Sequence, residues 1–145
     1  MTMLKRIDPG ETFMGRLRHG GDLQEEITKF CIDNNISLGR VEGIGAVQKA
    51  RLGYYNQKEQ EYHFFSLDQS FEITKMIGNI SLMDGRPFVH AHITLSDGRG
   101  NSFGGHLAPG TIVFACEILL QSFKGPAFER KLNENTGLPL WDLNN

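Results

Sequence analysis

Residues 89–95 alternate without a break: Val89, Ala91, Ile93 and Leu95 are apolar, and His90, His92 and Thr94 stand between them. A period of two is that of a β-strand, whose successive side chains point to opposite faces of a sheet. One face of this strand suits a core and the other something polar, the pattern of an antiparallel sheet covered on one side. Residues 71–82 and 112–123 also read as strands, and 128–132 as a last short one. Asp84-Gly85, Asp97-Gly98 and Pro109-Gly110 punctuate these runs as turns.

One stretch follows a different period. Gly20-Gly21 breaks the chain, Asp22 is a natural N-cap, and Glu25 is placed to complete a capping box. Leu23, Ile27, Phe30 and Cys31 fall at i, i+4, i+7 and i+8, one apolar stripe on a helix that ends at Asp33-Asn34-Asn35. On its other face Glu25 and Lys29 are spaced for an ion pair. Many strands and one amphipathic helix predict an α+β fold with a mostly antiparallel sheet. The expected organisation is a single domain over residues 1–145, with a core at about 11–133 and a polar, loop-like tail at 134–145. Leu140, Trp141 and Leu143 are the tail's candidate anchors.

Lys and Arg total 15 against 17 Asp and Glu, a net charge of -2 that weighs against strong attraction to nucleic-acid phosphates. Cys31 and Cys116 each sit in an apolar stretch and read as buried, reduced thiols. Residues 1–10 hold no apolar segment of a secretory signal. The longest apolar run, 111–120, contains Glu117 and is too short to span a bilayer. The expectation is a soluble cytoplasmic protein with no membrane partner.

Chemistry concentrates in the histidines. His90 and His92 share a strand face, with Cα atoms roughly 6.5–7 Å apart. The turn Asp97-Gly98-Arg99-Gly100 folds the chain back toward His106. A three-residue loop pairs Asp97 with Asn101 and His92 with His106, which puts all three imidazoles on one face. An even loop puts His106 on the wrong face unless Gly104-Gly105 supplies a bulge. Neutral imidazole is the usual nitrogen ligand of zinc and related divalent metals, and three histidines with a fourth position open to water is a catalytic type of zinc geometry. The plainer alternative is a polar sheet face with scattered histidines. His19 and His63 lack such surroundings and read as surface residues. Gly43-Ile44-Gly45 lacks the third glycine of a dinucleotide fingerprint and reads as a tight strand bend.

Several separated blocks resemble the PPC domain, the plants-and-prokaryotes-conserved family. They are residues 17–23 (Leu-Arg-His-Gly-Gly-Asp-Leu), 43–46 (Gly-Ile-Gly-Ala), Phe71-Glu72-Ile73 with Gly78-Asn79-Ile80, and 85–92 (Gly-Arg-Pro-Phe-Val-His-Ala-His) continuing through Gly104-Gly105-His106-Leu107 to Gly110 and Glu117. The resemblance spans roughly residues 13–133. It implies a homotrimer, and it places His90, His92 and His106 at the family's histidine positions, a metal site expected to hold zinc. Family members are also described as DNA-binding, and plant members carry an AT-hook that reads the minor groove. Here Gly85-Arg86-Pro87 is similar to the hook's centre, but Asp84 stands where a basic residue belongs, and the triplet reads as a turn entering a strand. The plant domain's Gly-Arg-Phe-Glu-Ile-Leu partner motif is matched only by Phe71-Glu72-Ile73.

The expected function is that of a small trimeric metal-binding protein, with a small-molecule ligand at the metal. The alternative is a DNA-binding or transcription-regulatory module, which the charge does not favour. Metal-assisted chemistry needs a general acid or base nearby, and Glu117 and Glu42 are the candidate carboxylates.

Overall fold

The computed structural model describes residues 2–143. The elements are β1 (Asp8–Arg16), α1 (Leu23–Asp33), β2 (Gly39–Asn56), β3 (Glu61–Leu67), β4 (Phe71–Met83), β5 (Arg86–Ser96), β6 (Ser102–Leu107), β7 (Ile112–Lys124), β8 (Glu129–Asn133) and β9 (Leu138–Trp141). They form one sheet in the order β1-β7-β2-β6-β5-β4-β8-β9, with β3 on β2 and a further pairing of β2 with β4. The pairings β2–β6, β6–β5, β5–β4 and β4–β2 therefore close into a ring. All pairs are antiparallel except β4–β8.

The 18-residue β2 makes this closure possible by bending. Its first half lies between β4 and β7, and its second half between β3 and β6. The register against β4 shifts between Gly43 and Gly45, so the expected strand bend is a β-bulge. Gly45 has φ 144°, and a Cβ there would stand 2.1 Å from the Ala115 carbonyl oxygen, so only glycine fits.

The alternation in β5 matches its burial. Val89, Ala91, Ile93 and Leu95 are sealed in the core, and His90, His92 and Thr94 face away from it. Leu23, Ile27 and Cys31 of α1 reach the same core, and Phe30 meets Phe13 of β1 edge to face. Asp22 caps α1 by accepting from the Gln24 and Glu25 amides, while its second oxygen accepts from Gly110 N–H at 2.6 Å. Lys29 pairs with Asp33, one turn on, rather than with Glu25. Asn35, with φ 54°, ends the helix in the left-handed conformation. Cys31 and Cys116 are both buried free thiols. No helix among the described residues is long and apolar enough to cross a membrane.

The C-terminal segment departs from expectation. The strand predicted at 128–132 is β8, and it is not the last. The segment expected to be a loop-like tail turns at Asn133–Gly137 and returns as β9, paired with β8. Trp141 is the anchor: it meets Phe128 edge to face and donates from Nε1 to Ser81 Oγ at 3.0 Å. A four-residue strand containing Pro139 shows no period, so only its apolar residues marked it.

Candidate metal centre

The β5–β6 turn has the three-residue form. Asp97 donates its amide to the Asn101 carbonyl at 3.0 Å, and His92 stands opposite His106. His90, two residues before His92, projects to the same face. One ring nitrogen from each of the three lies within 4.8 Å of the other two. The ring centroids are 5.2–5.8 Å apart. Two nitrogens on one tetrahedral cation stand roughly 3.4 Å apart, given metal–nitrogen bonds of ~2.0–2.1 Å, so small ring rotations would bring all three to a single ion.

The donor set suits a cation in two further respects. Burial, with added repulsion from neighbouring positive charge, pulls the His90 and His106 pKa values down to about 4, so both rings are neutral at pH 7 and present lone pairs. His106 Nδ1 is buried with no hydrogen-bond partner. A buried polar atom without a partner is costly, and a ligand or ion satisfies it. Tyr62 holds the His106 ring from the other side, with centroids 4.6 Å apart.

The histidines open onto a depression of about 700 Å³, walled by Tyr55 and Tyr62 and by the turn between β8 and β9. That turn is docked: Tyr55 Oη donates to the Thr136 carbonyl at 2.5 Å, and Gln60 Nε2 donates to the Asn135 carbonyl at 3.1 Å. Behind the centre lies Arg130 of β8, which bonds to Ser81 Oγ, to the Pro139 carbonyl and to Asn79 Oδ1. Asn79 is the cross-strand neighbour of His90. Sequence reasoning missed Tyr55, Tyr62 and Arg130. Arg130 lies between Glu129 and Lys131 and looks like part of a solvated charge run; only Phe128 before it hinted at burial.

Glu42 and Glu117 do not line this depression. Residues paired across a sheet share a face, and the row runs Leu119, Glu42, Ile77, His92, His106 across successive strands. Glu42 is thus two strands from His92, roughly 10 Å at the usual strand spacing. It pairs with Arg40 and Lys75, and with Glu117 it lines a separate shallow hollow. His19 and His63 are exposed, as expected. His19 is bonded to the Phe114 carbonyl, and His63 is bracketed by Glu59 and Glu61. Gly85-Arg86-Pro87 is a hairpin turn running into β5, with Asp84 and Gly85 both at positive φ.

The chain belongs to the Plants and Prokaryotes Conserved (PCC) domain family, whose model matches residues 5–124. Among solved structures it is similar to a plant- and prokaryote-conserved (PPC) protein from Pyrococcus horikoshii, at 38% identity and TM-score 0.92 over 97% of both chains. It is similar to a metal-containing protein from Archaeoglobus fulgidus, at 38% identity and TM-score 0.91, covering 97% of this chain and 99% of that one. A candidate DNA-binding protein from Ralstonia eutropha matches at 26% identity and TM-score 0.79 over 90% of each chain. A bifunctional GlmU protein from a Synechococcus strain is 31% identical over 124 residues, or 84% of this chain. The chain spans about a fifth of the length of the curated relatives it matches, 19% and 18%.

Proposed function

We propose that this PCC-domain chain is a small metal-binding protein in which His90, His92 and His106 hold one divalent cation, with zinc the expected metal. The observation that carries this reading is the convergence of three imidazole nitrogens within 4.8 Å, one imidazole having a buried atom with no partner. The metal-containing relative from Archaeoglobus supports it. Three protein ligands leave a coordination position facing the tyrosine-walled depression. A cation bound there would polarise a carbonyl or acidify a bound water. Around it, Tyr62 fixes the His106 ring, and Asn79 ties the strand opposite His90 to Arg130. Neither Glu42 nor Glu117 is assigned a proton-transfer role, because both line a separate hollow farther along the sheet surface, Glu42 two strands from His92.

That surface supports self-association. Met14, Ile44 and Ile77 are 83%, 55% and 51% exposed on one sheet face, and Arg40, Glu42, Lys75 and Glu117 surround them. An apolar centre with a polar rim is the anatomy of an interface. The homotrimer is the assembly we assign to it, and a concentration-independent monomer in light scattering would contradict that. The DNA-binding alternative draws on the Ralstonia protein, but a net charge of -2 and a hook-like triplet folded into a hairpin turn both oppose it.

Metal analysis of protein purified with zinc supplementation tests the centre. One zinc per chain is expected, and His92→Ala should weaken it by on the order of a hundredfold or more, since each ligand carries a share of a binding free energy near 10 kcal/mol. The sheet hydrogen bonds of residue 92 are backbone bonds, so the variant should still fold. Protein that holds no metal, or a variant with full stoichiometry and affinity, would overturn the reading.

A further inference from the structure

Among the described residues, no acidic side chain lines the depression beside the histidines. Its polar lining is neutral: Tyr55 and Tyr62, the amides of Gln57, Gln60 and Asn135, and backbone. Behind it, Arg130 is only 9% exposed, and its three hydrogen-bond acceptors, Ser81, Asn79 and the Pro139 carbonyl, are all neutral. It sits between the rings of Phe88 and Trp141, at 5.5 and 5.4 Å, and joins no ion pair among the described residues. A buried cation without a counter-charge is expensive, and buried charges are ordinarily paired. Arg130 reaches the centre through Asn79, to whose Oδ1 it donates at 2.8 Å and which stands directly across the ladder from His90. Neutral imidazoles cancel none of a divalent cation's charge. With the metal in place, the centre would carry two charges from the ion and one from Arg130, with no protein carboxylate facing them.

We propose that the ligand completing this centre is a small organic monoanion, a carboxylate bound to the metal through its oxygens with its body against Tyr55 and Tyr62. This rests on the metal reading above. A carboxylate suits the charge pattern better than a phosphoryl group. Phosphates are gripped by several direct cationic or N–H donors, and neither Lys nor Arg lines the depression. The tyrosine wall adds apolar area and hydroxyls for a ligand larger than acetate.

Full-length protein loaded with cobalt(II) tests this, because the visible spectrum of cobalt reports its ligands. Cobalt stoichiometry is read first, then the response to acetate, benzoate, acetamide, benzamide and inorganic phosphate. The carboxylates should shift the spectrum, benzoate at lower concentration than acetate, and the isosteric amides should not. Arg130→Met should weaken carboxylate binding roughly tenfold without changing cobalt stoichiometry, and Arg130→Lys, which keeps the charge, should restore most of it. Should Arg130→Met fail to fold, Arg130→Lys and the amide comparison carry the decision. Cobalt bound with equal response to amides, a stronger response to phosphate, no response to carboxylates, or a folded Arg130→Met with unchanged affinity would overturn the inference and leave the metal reading standing. Failure to bind cobalt at all would overturn both.

Discussion

Two hairpins frame the histidine centre, and they hold their places by different physics. The β5–β6 hairpin supplies all three histidines and buries a full strand face, with Val89, Ala91, Ile93 and Leu95 each 2% exposed or less. The β8–β9 hairpin supplies the wall and Arg130. It is held by Phe128, by the Trp141 and Arg130 bonds to Ser81, and by the contacts of its turn with Tyr55 and Gln60. One hairpin belongs to the core; the other is docked on a surface the core has already made. The candidate site between them takes its precision from the first and its shape from the second.

Ile93→Ala should separate the two most sharply. It removes buried volume beneath the histidine strand, and such truncations cost about 2–4 kcal/mol. Chemical denaturation should show this loss. Trp141 is the single tryptophan of the chain, so native fluorescence should report an undisturbed β8–β9 hairpin before unfolding. A loss below about 0.5 kcal/mol, the range of surface substitutions, would mean that β5 is not the core element its burial indicates.

The contrast also governs what could be read from residues alone. Alternation at 89–95 and the stripe on α1 are products of burial, and burial leaves a period; the bend at Gly43–Gly45 was marked instead by glycine, which alone fits the positive φ and the close approach of the Ala115 carbonyl. Counting left two parities open for the β5–β6 turn; the Asp97–Asn101 bond selects the three-residue form, after which the alternation along the ladder brings His106 opposite His92. The placing of Glu42 and Glu117 did not follow, since strand order decides how far a carboxylate lies from His92, and β2 changes neighbours halfway along. Arg130 was hidden for a related reason. A residue that docks through a few polar bonds to Ser81, Asn79 and Pro139 imposes no spacing on its neighbours, and its charge resembles that of a solvated strand.

A smaller effect is expected at the turn of the docked hairpin. Gly137 has φ 70°, and a Cβ there would stand 2.6 Å from Tyr55 Oη. Gly137→Ala should therefore cost about 1–2 kcal/mol and break the bond from Tyr55 to the Thr136 carbonyl. Trp141 fluorescence should change while the zinc affinity of the histidines stays within about threefold, a shift of less than 1 kcal/mol. A large loss of zinc affinity would show that the wall, and not the β5–β6 ladder alone, positions the ligands.

Alkali should act on both hairpins together, because both rest on one core. Burial pushes the Cys31 thiol up to about 12, and burial with the nearby Glu117 carboxylate pushes Cys116 up to about 11. In the unfolded chain both ionise near their ordinary value of 9.0. Below pH 9 both states hold these protons and stability does not depend on them. Between pH 9 and about 11 the unfolded chain releases two protons that the folded chain keeps, so the folded state loses stability as pH rises. The slope is at most ~1.4 kcal/mol per pH unit for each proton. Cys31→Ala should flatten this fall, and it should do so equally whether unfolding is followed by Trp141 fluorescence or by far-ultraviolet dichroism of the sheet. Transitions that separate under alkali would mean that the docked hairpin detaches before the core gives way, which would make it an independent unit rather than a dependent one.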